Sequence, residues 1–176
     1  MGHIRLGVLP KYPRWRQMIG LLADTEVPAS KVAEKVIDGT QDVLATDSAQ
    51  SSLGYCVWLM AQLVQAARGD DFQDEIAHLG IEVEKDATAT EFLATTSRVA
   101  TRRLSRLTPH TALNNIAGLA LRESLTSTVG TRANTLFGAG LPEVQYAFKE
   151  YSTGTQFSAL LHTYLTNFLQ RVLCFV

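Results

Sequence analysis

One stretch, Leu53–Ala67 (LGYCVWLMAQLVQAA), constrains this chain more than any other. Eight of its fifteen residues are large and apolar, and on a helical wheel they fall on every side. A helix of that kind is either buried in a protein core or spans a membrane. A span needs roughly 20 predominantly apolar residues. Here Gln62 and Gln65 interrupt the run, and Arg68-Gly69-Asp70-Asp71 closes it. The stretch therefore predicts a central apolar helix at 48–68 of an all-α protein, with no transmembrane segment. Asp47 or Ser48 can cap it, because their side-chain oxygens accept from orphaned backbone N–H groups.

A chain of 176 residues suits one domain, and residues 1–176 show no repeat, linker or low-complexity tract. The hydrophobic pattern predicts about seven or eight helices. Ile4, Leu6 and Val8 alternate with polar or small residues, a period of two. That predicts a short extended arm within 1–13, whose unpaired backbone needs a partner. Pro13 opens a helix with Trp15, Met18, Ile19 and Leu22, and a second runs from Pro28 to about Ala45. After the central helix, Asp70–Leu79 forms a short helix with acids at its start, where the dipole favours them. Gly80 stops it.

Thr88-Ala89-Thr90-Glu91 is a capping box for a helix reaching Leu107, with Phe92, Leu93, Thr96, Val99, Ala100 and Leu104 inward. The next helix, Thr111–Val129, carries Ala117, Gly118 and Ala120, small enough for a neighbour to approach closely. Pro142 begins a short helix bearing Val144, Phe148 and Tyr151. The last helix, 155–176, has a broad apolar stripe: Phe157, Leu160, Leu161, Tyr164, Leu165, Phe168, Val172 and Leu173.

Spacings that a mechanism needs are missing. The sequence has no GxxxxGK(S/T) phosphate loop, no HExxH, no CxxC pair and no GxGxxG after a strand. Gly138-Ala139-Gly140 lacks the third glycine. His3, His78, His110 and His162 do not share a helical face. Cys56 and Cys174 are too few for a disulfide framework or a metal site; both sit in apolar surroundings and read as buried small hydrophobes in a cytoplasmic protein. Asp70, Asp71, Asp74 and Glu75 lack the glycine-turned spacing of a calcium loop. No catalytic residue, cofactor or metal is therefore expected, and the chain reads as a non-enzyme.

The net charge is −1, but its distribution is uneven: Asp70 to Glu91 holds eight acids and one lysine, whereas Arg98 to Arg132 holds six arginines and one glutamate. Such segments can pack side by side, or the basic one can meet an external anion. Arg98, Arg102 and Arg106 recur every fourth residue with Arg103 beside them, so a helix projects them as one stripe opposite Phe92, Val99 and Leu104. Guanidinium groups so arrayed can follow a phosphate backbone. No recognition-helix signature or stacking aromatic accompanies them in the sequence. Arg5, Lys11, Arg14 and Arg16, with Tyr12 and Trp15, form a weaker basic group.

The favoured expectation is a protein-interaction or assembly subunit, its partner another protein or a second copy. Its contacts would be the arm (Ile4, Leu6, Val8) and the apolar C-terminal helix (Phe168, Val172, Leu173, Phe175, Val176), through strand addition and helix-in-groove packing. The alternative is nucleic-acid binding through Arg98, Arg102, Arg103 and Arg106. Action at a membrane surface is disfavoured, since the last helix carries Arg171 as its only basic residue besides His162.

Overall fold

Six helices carry the described part of the chain. The computed structural model describes residues 47–107, 112–133 and 140–174, with side chains from 51 onward. They are α1 (Asp47–Ala66), α2 (Phe72–His78), α3 (Ala89–Leu107), α4 (Ala112–Leu125), α5 (Leu141–Lys149) and α6 (Gly154–Cys174). Helix α4 runs on through a π-turn, Thr126–Gly130, into a last α-helical turn, Thr131–Ala133. The protein is all-α, and no strand occurs among the described residues. The arm at 1–13 and the two helices expected between Arg14 and Ala45 lie outside the described residues, which leaves six helices against the expected seven or eight.

Local chemistry sets the helix ends. Glu91 accepts from the Thr88 backbone N–H (2.8 Å), and the Glu91 N–H donates to the Thr88 hydroxyl (3.2 Å), closing a reciprocal box at the start of α3. Gly80 ends the α2 turn at φ +83°, a left-handed conformation open to glycine at little cost. Glu143 accepts the Gly140 N–H at 3.0 Å at the start of α5.

Helix α4 has the most extensive packing among the described residues, against α6, α3 and α1. Its small residues explain this: Ala117, Gly118 and Ala120 are buried. A Cβ on Gly118 would stand 3.4 Å from Thr101 Oγ1 and 3.6 Å from Leu104 Cδ1. Helix α3 can thus lie close against α4. Helix α1, the apolar helix expected at the centre over 48–68, packs against α2, α3, α4 and α5. Helix α1 buries Cys56, Leu59, Met60, Leu63 and Val64, yet leaves Trp58 48% exposed. Its all-round apolar wheel has one open edge.

Between the helices, Phe72, Phe92 and Phe148 form an aromatic chain, with ring centroids 6.1 and 6.0 Å apart, that joins α2, α3 and α5. Asn167 on α6 donates to the Ser124 hydroxyl on α4 at 2.8 Å, a directional contact beside the Arg171–Glu123 ion pair that joins the same two helices. Among the described residues no helix is long and apolar enough to cross a membrane.

Two expectations for the end of the chain are corrected. Phe168 (0% exposed) and Val172 (3%) turn inward with Leu160 and Tyr164. Covering each such side chain stabilises the fold by about 1.5–3 kcal/mol, so this row serves the chain's own core and is not free for a partner. Leu173, at 43% exposed, does face outward, as does Leu165 at 37%. Cys174, expected to be buried, is exposed, whereas Cys56 is buried as expected. Ile4, Leu6, Val8, Phe175 and Val176 lie outside the described residues.

Candidate functional site

A groove of about 460 Å³ opens where the C-terminal half of α3 passes the exposed edge of α1. Arg102, Arg103 and Arg106 line one wall, Tyr55 and Trp58 the other, and His78, Leu79 and Gly80 close it after α2. Val99 and Leu107 add an apolar lining. Helical spacing builds both walls, since residues three and four apart stand above one another. On α3 that aligns Arg102, Arg103 and Arg106 with Val99, which was expected on the opposite side of the helix; on α1 it brings Tyr55 under Trp58. The two rings stack at 5.7 Å between centroids with 30° between their planes.

The arginine stripe does not act as one unit. Arg98 donates to its own helix, from Nη2 to Thr95 Oγ1 at 2.8 Å, and lies outside the groove. Arg102, Arg103 and Arg106 are exposed, and none forms an ion pair with an acid among the described residues. The ion pairs there run elsewhere, from Arg132 to Glu150 and from Arg171 to Glu123. Three residues of the acidic segment, Asp70, Asp71 and Asp74, line a different hollow, together with Lys85. A helix C-terminus attracts cations, but the effect fades within the last turn. It accounts for Arg106 and leaves Arg102 and Arg103 unexplained.

The aromatic wall is what sequence reading missed. Stacking rings belong beside an arginine stripe in a nucleic-acid site, and none is near Arg98–Arg106 in the chain. Tyr55 and Trp58 come there only because α1 packs across α3. Burial raises the Tyr55 phenol above its ordinary pKa, neighbouring Cys56 adds to the rise, and Arg103 opposes it. Arg103 and Tyr55 line the same groove.

Burial pushes the Cys56 thiol up to about 11, far from the thiolate that a nucleophile needs. Its nearby acceptor is the Ala117 carbonyl at 3.9 Å. The Tyr164 hydroxyl is buried without a hydrogen-bond partner of ordinary geometry among the described residues, and burial raises its pKa first, then the adjacent Cys56. Among the described residues no three His, Cys, Asp or Glu side chains gather as a metal set. Compared with known protein families, characterised proteins and solved structures, the chain matches none of them.

Proposed function

We propose that this chain is a non-enzymatic nucleic-acid-binding protein whose contact surface is the groove walled by Arg102, Arg103 and Arg106. The observation that carries the reading is the convergence of three exposed guanidinium groups on one groove, with no acid partner among the described residues. Like charges held together repel, and a polyanion relieves that repulsion while releasing its own counterions. Arg98, hydrogen-bonded to Thr95, does not line the groove. A cytoplasmic setting belongs to the same reading, supported by two free cysteines that a reducing compartment keeps as thiols.

The test is charge reversal. Arg102→Glu with Arg106→Glu removes binding to labelled nucleic acid at low salt and leaves helicity and the unfolding midpoint close to wild type, because both side chains are exposed. Unchanged binding in a folded double variant defeats the reading.

Assembly with another protein or a second copy remains the second reading, favoured by the outward Leu165 and Leu173 on α6. Its contact row differs from the expected one, since Phe168 and Val172 are in the core. Light scattering on wild type and Leu165→Ser/Leu173→Ser tests it: an oligomer that the double variant dissolves supports it, and a monomer in both removes it.

A further inference from the structure

We infer that the groove takes single-stranded rather than duplex nucleic acid, with an unpaired base stacked on Trp58 and its flanking phosphates on Arg102, Arg103 and Arg106. This rests on the reading of the arginine wall as a polyanion surface, and it adds the chemical class of that polyanion. The argument begins with Trp58. A singly exposed large apolar side chain needs no explanation by itself. This one lies against Tyr55 with rings stacked at 5.7 Å, so its orientation is set before any ligand arrives. It also faces a groove whose other wall is cationic.

That pairing of a flat aromatic face with a positive track is how strands are held without sequence preference: the charge follows the backbone, and each base has a π-face to stack. A duplex must first unstack a base step, at an energetic cost, to offer such a face, because its bases are stacked on one another and present only their edges. An acidic peptide could satisfy the arginines but supplies no flat ring at each charge. Size agrees as well. A pocket of about 300–1,000 Å³ encloses a drug-sized ligand, so a groove of about 460 Å³ holds a nucleotide-sized segment and not the width of a double helix. Along α3, Arg102 and Arg106 are separated by about 6 Å of axial rise, which lets two guanidinium groups serve successive parts of one backbone.

The experiment uses the full chain and three probes at low salt: a labelled oligothymidylate, a duplex of the same length, and inorganic polyphosphate. The oligothymidylate binds most tightly and quenches tryptophan emission. Trp58→Ala weakens it roughly 5- to 150-fold, the range for losing one base–aromatic stack, and leaves polyphosphate binding unchanged. Trp58→Phe, which keeps a ring and guards against a folding artefact, retains most of the affinity but loses the quench, since Trp15 is then the sole indole. Duplex and polyphosphate binding as tightly as the single strand, with Trp58→Ala indifferent to all three, overturns this inference and leaves the arginine surface standing. Failure of every polyanion to bind overturns both.

Discussion

The Ser52 hydroxyl on α1 donates to the Asn114 side-chain carbonyl on α4, and the Asn114 amide donates in turn to the Leu104 carbonyl on α3 at 3.0 Å. Both side chains are buried. Ser52 lies one turn before Tyr55, and Leu104 lies between Arg103 and Arg106. One buried polar bridge thus ties together the helices that form the two walls of the groove. A buried group that loses its partner costs about 1–3 kcal/mol. Asn114→Ala is therefore expected to lower stability by that amount, read as a reduced urea midpoint. Ser52→Ala should cost a similar amount, and the double variant less than the sum, because each change removes the same contact.

Two glycines on helices should respond in opposite directions to alanine. At Gly54 an added Cβ meets no atom of the described residues within 4 Å, so Gly54→Ala gains helix propensity, about 1 kcal/mol. At Gly130 the Cβ would lie 2.9 Å from Leu93 Cδ1, a buried core side chain. Overpacking of that kind costs about 1–3 kcal/mol and outweighs the propensity gain. Thermal unfolding should rise for Gly54→Ala and fall for Gly130→Ala.

Thiol titration separates the two cysteines. Cys56 is buried with its pKa raised to about 11 by desolvation, and Cys174 is exposed. Native protein near pH 8 should release one equivalent of chromophore promptly from a disulfide reagent, and a second only on denaturation. Cys174→Ser should remove the prompt reaction. Two prompt equivalents would mean that α1 does not seal Cys56.

Glu91 supplies a pH dependence. Its carboxylate accepts first from the Thr88 backbone N–H and then from the Thr88 hydroxyl, which lowers its pKa. A depressed folded-state value means stability that is present above the unfolded glutamate pKa, about 4.3, and lost as pH falls through the folded one. Glu91→Gln should flatten that acid limb, and an NMR titration should put the Glu91 midpoint below that of an ordinary glutamate.

Most of the helical outline was legible because its signals are local. The capping box at Thr88–Glu91, the Gly80 stop and Pro142 each act within a few residues of where they stand. Tertiary choices were not legible. In the last helix two apolar rows run side by side, Leu160-Tyr164-Phe168-Val172 and Leu161-Leu165-Leu169-Leu173, offset by a single residue. Periodicity cannot decide between them. Packing against α4 buries the first row and leaves Leu165 and Leu173 of the second exposed. The arginine wall could be read from its four-residue spacing, apart from Arg98, which folds back on Thr95. The aromatic wall could not, since over forty residues of sequence separate Trp58 from Arg102 and an apolar wheel does not say which edge stays open.

Binding through a row of arginines must weaken as salt rises. The logarithm of affinity for a single strand falls against the logarithm of salt with a slope near −0.7 per phosphate neutralised. Three arginines in the groove predict a slope of about −2, and Arg102→Ala should make it shallower by about 0.7. Affinity indifferent to salt, or a slope that Arg102→Ala leaves unchanged, would rule out binding through the arginine wall.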